Sequence, residues 1–292
     1  MIFITGATGF LGKRLVPLLI KEGFSLNCLA RNPDYLKNQP IKITSGDLEN
    51  FQWPTDSEQI NIVIHMAAVI NAKNPQDFYK TNYEGTKKLI DECAKNGVKH
   101  FIFLSSLNVL QKNQDDYAKS KKMAEDYLKL SGLNHTILRP SLIYGPNDIK
   151  NIGQLIKMAR KLPFMPIAGN GKNKIQPIYI DDVTNVIISI LKNPEKFYNK
   201  TYNLAGPDIL EFNELLDLIL KTLSLKKKKV HIPLFLFWPF IFLYEKLSPN
   251  PKITLRQLKN SAQELTAPCD WPQEFNIKPT PLTDGLYRTI FN

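Results

Sequence analysis

Tyr117 and Lys121 stand four residues apart in Tyr117-Ala-Lys-Ser-Lys121, the spacing that puts two side chains on one face of a helix. A free phenol ionises near pH 10. An ammonium beside it favours the phenolate and brings the group toward neutrality, where it can act as a general acid or base. Upstream, Phe103-Leu-Ser-Ser106 ends an apolar run in two hydroxyls. A third cluster opens the chain, where Gly6, Gly9 and Gly12 recur every three residues in Thr5-Gly-Ala-Thr-Gly-Phe-Leu-Gly12. Coming directly after Ile2–Ile4, they describe a strand, a tight turn and a helix whose free amides face a phosphate. Gly6 allows the turn, Gly9 lets the backbone approach a pyrophosphate, and Gly12 lets the helix pack close to the sheet. The expected ligand is a dinucleotide. Cys28, Cys93, Cys269 and the four histidines show no recurring ligand spacing, so no metal is expected.

These residues need a scaffold of buried strands. Ile2–Ile4 is apolar without alternation, as in a parallel strand covered on both faces. Strands are expected at 25–31, 41–44, 60–66, 99–106 and 135–139, with helices over 12–21, through Asn82 to Lys95, and over 117–130. Alternating strands and helices imply an α/β fold with a doubly wound, parallel Rossmann sheet. The second strand ends in Arg31, where a guanidinium suits a ribose 2′-phosphate, so NADP(H) is preferred to NAD. Asp47-Leu48, after the third strand, offers a carboxylate to an adenine amino group. Ala67-Ala68, after the fourth, leaves room for a cofactor at a strand's carboxyl end. His65 reads as a packed strand residue.

Beyond residue 146 the pattern loosens. A short helix spans 154–161, a proline- and glycine-broken loop 163–174, a strand-to-helix step 178–183, a strand 202–206 and a helix 212–223. Residues 230–247 are dense in aromatics, and Pro233 and Pro239 interrupt the uncharged part, which is too short to span a bilayer. That stretch is expected to form a buried helix pair walling an apolar pocket, with an interfacial membrane contact as the second reading. The tail, 255–290, reads as two short helices and proline turns. The expected domains are a core of 1–145 to which 176–198 return, and a smaller C-terminal substrate lobe of 146–175 and 199–292.

The 292 residues carry a net charge of +11 and 43% hydrophobic content, the composition of a globular protein with anionic partners. Lysines are spread along helices except for Lys226–Lys229, so nucleic acid is not an expected partner. Three cysteines without a C-x-x-C pair imply free thiols and a reducing compartment. No signal or transit peptide is expected, since the first strand begins at residue 2.

Together the motifs resemble the NAD(P)-dependent epimerase/dehydratase branch of the short-chain dehydrogenase/reductase superfamily. Thr5–Gly12, His65-Met-Ala-Ala68, Asn82-Tyr-Glu-Gly-Thr86, Phe103–Ser106 and Tyr117-x-x-x-Lys121 carry the likeness. Leu138-Arg-Pro140, Tyr144-Gly-Pro146, Asp181-Asp182-Val183 and Asn203-Leu-Ala-Gly206 extend it to about residue 215. The resemblance implies that Tyr117 is the acid/base, that Lys121 holds the nicotinamide ribose, and that Ser106 hydrogen-bonds the substrate oxygen. It also implies cofactor contacts at Thr8, Phe10, Leu11, Asn82 and Pro140.

Two departures stand out. Only residues 107–116 separate Ser106 from Tyr117, and Gln176-Pro177 stands where sugar-nucleotide epimerases often place a basic residue against the diphosphate. Both resemble the atypical branch that includes the NAD(P)H-binding accessory subunit of respiratory complex I. Three readings follow. One is hydride transfer at a carbinol or carbonyl carbon, of a nucleotide sugar among other substrates. The second is reduction of an apolar ketone, and the third is a non-catalytic NADPH-binding assembly subunit. The expected partner is a small-molecule substrate, for a monomer or homodimer in the cytoplasm, membrane-associated at the inner face in the second reading of residues 230–247.

Overall fold

The computed structural model describes residues 1–54, 58–233 and 264–291, with Phe235 and Leu247. Contacts divide the chain into two compact units, the first built from Met1–Pro140, Ile180–Leu204 and Asp270–Ile277. Its centre is a parallel seven-stranded sheet. The strands in chain order are β1 (Ile2–Thr5), β2 (Leu26–Ala30), β3 (Lys42–Ser45), β4 (Ile62–His65), β5 (His100–Leu104) and β6 (His135–Pro140). Next come β7 (Ile143–Tyr144), β8 (Met165–Ala168), β9 (Lys174–Ile175), β10 (Ile178–Tyr179), β11 (Lys200–Leu204), β12 (Leu210–Glu211) and β13 (Lys229–Ile232). The sheet order is β11-β6-β5-β4-β1-β2-β3. Its direction of winding reverses between β1 and β4, where Ile2–Thr5 pair with Leu26–Leu29 on one side and Ile62–His65 on the other. In such sheets ligands bind outside the carboxyl ends of strands at that reversal.

Helix α1 (Phe10–Lys21) follows β1. A short α2 (Gln76–Phe78), a π-helical stretch (Tyr79–Gly85) and α3 (Thr86–Lys95) follow β4, and α4 (Asp116–Leu130) follows β5. Side chains alternate across the sheet. Phe3, Val63, Phe101, Phe103 and Ile137 meet Leu89, Ile90 and Cys93 of α3 and Ala124 and Leu128 of α4. On α1, Leu11, Leu15 and Leu19 are buried, and the helix packs against α6 (Ile180–Lys192). Pro17 lies inside α1 and lacks the amide that would bond Lys13 O. The Tyr35 hydroxyl donates to that carbonyl at 3.4 Å instead.

The second unit comprises Ser141–Tyr179, Ala205–Cys269 and Lys278–Asn292. It holds α5 (Ile152–Lys161), α7 (Phe212–Thr222) and, after α8 (Trp271–Phe275) of the first unit, α9 (Leu282–Phe291). Helices α5 and α9 both pack on α7. Residues 163–174, expected as a loop, contain β8, which pairs in parallel with β13. Pro166 hides this strand in the sequence, yet a two-stranded ribbon tolerates a missing amide. Most of the aromatic stretch after Ile232 lies outside the described residues, as does the tail before Glu264. Cys28, Cys93 and Cys269 form no disulfide. No helix among the described residues is long and apolar enough to cross a membrane.

Candidate active site

The glycine turn is set by close backbone approach. Gly6 has φ 77°, and a Cβ there would lie 2.7 Å from Ala67 N, at the end of β4. At Gly12 a Cβ would lie 2.3 Å from Gly6 O, so both positions exclude any side chain. Gly9 differs. It is exposed with φ −76°, and an added Cβ would meet only Gly6 O, at 3.1 Å. As the N-cap of α1 it supplies no side-chain cap, and the first turn holds no acidic residue. The helix therefore presents uncapped amides at its positive end, which fits an anionic ligand such as a dinucleotide diphosphate. Thr8 and Phe10 are half-buried beside this end, whereas the Leu11 side chain belongs to the core.

Around the turn the carboxyl ends of neighbouring strands are tied together. Thr5 Oγ1 accepts from Ala67 N at 3.2 Å and lies 2.6 Å from His65 Nδ1. His65 Nε2 lies 2.8 Å from Thr86 Oγ1. Burial, reinforced by the Lys121 charge, holds the imidazole well below its ordinary pKa, so His65 is a neutral strut between hydroxyls. Ala67 and Ala68 are half-buried. Asn82, wholly buried, accepts from Val69 N at 2.8 Å and donates to Val69 O at 3.0 Å and Ser120 Oγ at 3.2 Å. Its amide thus fixes the loop after β4. The π-helical stretch carries Asn82, and such segments mark functional sites more often than plain helix does.

Arg31 is exposed just past β2, and the adjacent strand end is joined to it through Gly46 N to Ala30 O at 3.2 Å. Asp47 Oδ1 accepts from Glu49 N and Asn50 N, both at 3.0 Å, in a tight turn that leaves Oδ2 outside those bonds. Leu48 is buried against Gly85, where a Cβ would come within 2.8 Å of Leu48 Cβ.

The residues with acid–base chemistry gather at the end of β5. Ser106 caps a 3-10 turn (Leu107–Leu110) by accepting from Asn108 N at 3.2 Å. Asp115 caps α4 through Ala118 N at 2.8 Å, which places Tyr117 in the first turn and Lys121 one turn later. The Tyr117 ring stands edge-on to Phe78 at 6.3 Å. Lys121 is 1% exposed, its Nζ donating to Leu104 O at 2.8 Å and lying 4.1 Å from the Phe103 centroid. Phe103 in turn stacks on His65 at 5.4 Å. Glu125, one turn beyond Lys121 and wholly buried, grips Arg139 of β6 at 2.9 and 2.5 Å. Pro140 follows, buried at the end of β6. The Glu125–Arg139 pair was not expected from the sequence, and of the two hydroxyls expected at this strand end Ser105 Oγ is buried with no hydrogen-bond partner among the described residues. The i, i+4 step from Lys121 to Glu125 was the available signal for the first.

Burial pushes the Lys121 ammonium down to about 7, and Glu125 opposes that shift. An unfolded lysine keeps its proton to about 10.5. Above pH 7 the unfolded chain therefore binds a proton that the native chain has released, and stability rises with pH. Burial pushes Cys28 up to about 12 and Cys93 higher still, so unfolded thiolates reverse the trend above about pH 9. Melting temperatures are expected to climb between pH 7 and about pH 9, and Lys121→Met is expected to flatten that slope. An equal slope in the variant would refute the buried, shifted ammonium.

A family model described as the NAD dependent epimerase/dehydratase family matches residues 2–205. Subunit 9 of the NADH dehydrogenase [ubiquinone] 1 alpha subcomplex, mitochondrial, of Dictyostelium discoideum is 29% identical over 98% of this chain and 82% of its own. The decarboxylating sterol-4-alpha-carboxylate 3-dehydrogenase of Homo sapiens is 27% identical over 79% of this chain and 68% of its own. A UDP-glucose 4-epimerase of Thermotoga maritima, solved with UDP-glucose, superposes with a TM-score of 0.80 over 99% of this chain and 97% of its own at 21% identity, a likeness of fold. With its glycine turn, its strand order and its tyrosine and lysine on one helix, the chain belongs to the NAD dependent epimerase/dehydratase family.

Proposed function

We propose that this protein is an NADP(H)-dependent oxidoreductase acting on the carbinol or carbonyl carbon of an apolar substrate. The observation that carries the reading is the Lys121 ammonium, buried on the carbonyl of Leu104 directly before Ser105–Ser106 and one helical turn from Tyr117. The uncapped amides of α1, with Thr8, would hold the diphosphate, and Arg31 the 2′-phosphate. Ala67, Ala68 and Pro140 would border the nicotinamide half, and Lys121 its ribose. When bound, the nicotinamide supplies or accepts the hydride. Tyr117 moves the proton at its hydroxyl to or from the substrate oxygen, and Ser106 Oγ donates a hydrogen bond to that oxygen. The Lys121 charge favours the phenolate.

Gln176 supports the apolar class over a nucleotide sugar. It is 2% exposed, with Nε2 donating to Gly206 O at 2.7 Å and Oε1 accepting from Ala267 N at 2.9 Å. Both ends are thus committed to backbone at the position where a diphosphate-gripping base stands in sugar-nucleotide enzymes. Similarity to a sterol dehydrogenase points the same way. Three cysteines outside disulfides support a reducing compartment such as the cytoplasm.

NADPH consumption is expected with hydrophobic ketones, and UDP-glucose is expected to undergo neither epimerisation nor oxidation with either nicotinamide present. Turnover of UDP-glucose would overturn the substrate class. Arg31→Ala is expected to weaken NADPH binding by about 10- to 100-fold, the worth of a charge-assisted contact, and to leave NADH binding unchanged. Equal losses for both cofactors would remove Arg31 from the 2′-phosphate site. Cofactor binding without turnover of any carbonyl would favour a non-catalytic role as a subunit of a larger complex, the mitochondrial relative being named as a subunit of NADH dehydrogenase.

A further inference from the structure

We propose that the ribbon of β8 and β13, with the C-terminal end of α5, docks on an anionic lipid bilayer. This surface lies within the second unit and goes beyond the oxidoreductase reading. Between Asp148 and Asp181 the chain has no acidic residue, and between Asp217 and Glu245 it has none either. Charge of one sign therefore collects in two separate stretches, one carrying Arg160 and Lys161, the other Lys226–Lys229. The fold lays these stretches side by side. Met165–Ala168 pair with Lys229–Ile232, Met165 N donates to Lys228 O at 2.9 Å, and Lys227 Nζ donates to Leu162 O at 2.5 Å. Asp217 of α7 is paired with Lys229 at 2.6 Å. Arg160, Lys161, Lys226 and Lys228 remain exposed on the surface.

Among these cations stand apolar side chains that nothing in the ribbon covers. Phe164 is 41% exposed and Val230 40%, and Pro163 is exposed beside them. A monomeric surface gains nothing from such groups in water. Aliphatic and aromatic tips ringed by lysine and arginine match a bilayer boundary, where the tips enter the acyl region and the cations meet anionic headgroups. A nucleic acid would meet the same cations, but Phe164 is the one aromatic side chain among the three apolar groups, and Val230 and the saturated ring of Pro163 offer a base no π-face.

Sedimentation of the full chain with two vesicle types tests this, one of phosphatidylcholine alone and one with roughly a third phosphatidylserine. Wild type is expected to sediment with the anionic vesicles only, and less so as salt rises. The double variant K226E/K228E is expected to lower partitioning at least about tenfold, and Phe164→Ser severalfold. Equal binding to both vesicle types, or vesicle binding by K226E/K228E equal to wild type, would overturn the proposal. So would tighter binding to a short DNA duplex than to the anionic vesicles. NADPH affinity, read in the same samples, reports on the first unit. Vesicle binding lost with that affinity intact supports the lipid surface, whereas vesicle binding without any NADPH affinity supports it while refuting the cofactor reading.

Discussion

Tyr117→Phe is expected to lower turnover by at least about a hundredfold while leaving cofactor affinity nearly unchanged. The substitution removes one oxygen. The ring that stands edge-on to Phe78 remains, as does the Asp115 cap that begins α4, so the helix and its lysine keep their positions. What would disappear is the proton that the proposed mechanism has the phenol exchange with the substrate oxygen. An interaction made only as the proton moves lowers turnover and leaves ground-state binding alone. Steady-state rates at saturating NADPH and ketone, paired with calorimetric NADPH binding, separate the two quantities. Full turnover in the variant would move the acid–base role elsewhere, and a parallel loss of NADPH affinity would make Tyr117 a binding residue.

The largest effect on stability is expected at Glu125. Its carboxylate is wholly buried and bidentate with Arg139, which is itself 12% exposed, and the Lys121 ammonium lies one turn away. Glu125→Ala leaves a buried guanidinium without its anion, a change that costs about 3–5 kcal/mol. For a chain of 292 residues that corresponds to a fall in melting temperature of roughly 5–8 °C. Converting both partners to methionine is expected to recover most of the loss, because two apolar side chains of similar length carry no uncompensated charge. Loss of Glu125 also removes the influence that holds the Lys121 pKa up, so surviving activity is expected to need a lower pH. A destabilisation below about 1 kcal/mol, or a double variant worse than the single one, would contradict this account of the pair.

The sheet could be read from the sequence because its strands are short, apolar and separated by breakers. Ile2–Thr5, the turn at Gly6 and the helix after Gly9 fall where glycine chemistry requires them. The second unit was less legible. Its strands are two to four residues long, Pro166 interrupts one, and the partner of β8 lies more than sixty residues away. Sequence also could not separate Ser105 from Ser106. Both hydroxyls end the same run, and only burial distinguishes the one packed out of solvent from the one that caps the next turn. Asn82 was placed on a helix, yet the π-helical widening that turns it onto Val69 leaves no compositional mark. His65 was legible as a packed strand residue because a single imidazole within an apolar run has no neighbouring acid or metal-ligand spacing.

The central claim is that the free N-terminus of α1 holds the diphosphate of a nicotinamide dinucleotide, and Gly9→Asp tests it most directly. Gly9 has an ordinary φ, and an added Cβ would press on a single atom, Gly6 O at 3.1 Å, which a shift of a few tenths of an ångström relieves, so the variant is expected to fold. Its carboxylate would cap the helix and oppose an anion there. Calorimetric titration with NADPH is expected to show saturable binding to wild type and at least a tenfold loss, about 1.4 kcal/mol, in the variant. Failure of wild type to bind NADPH or NADH, or equal affinity in folded Gly9→Asp, would contradict the claim.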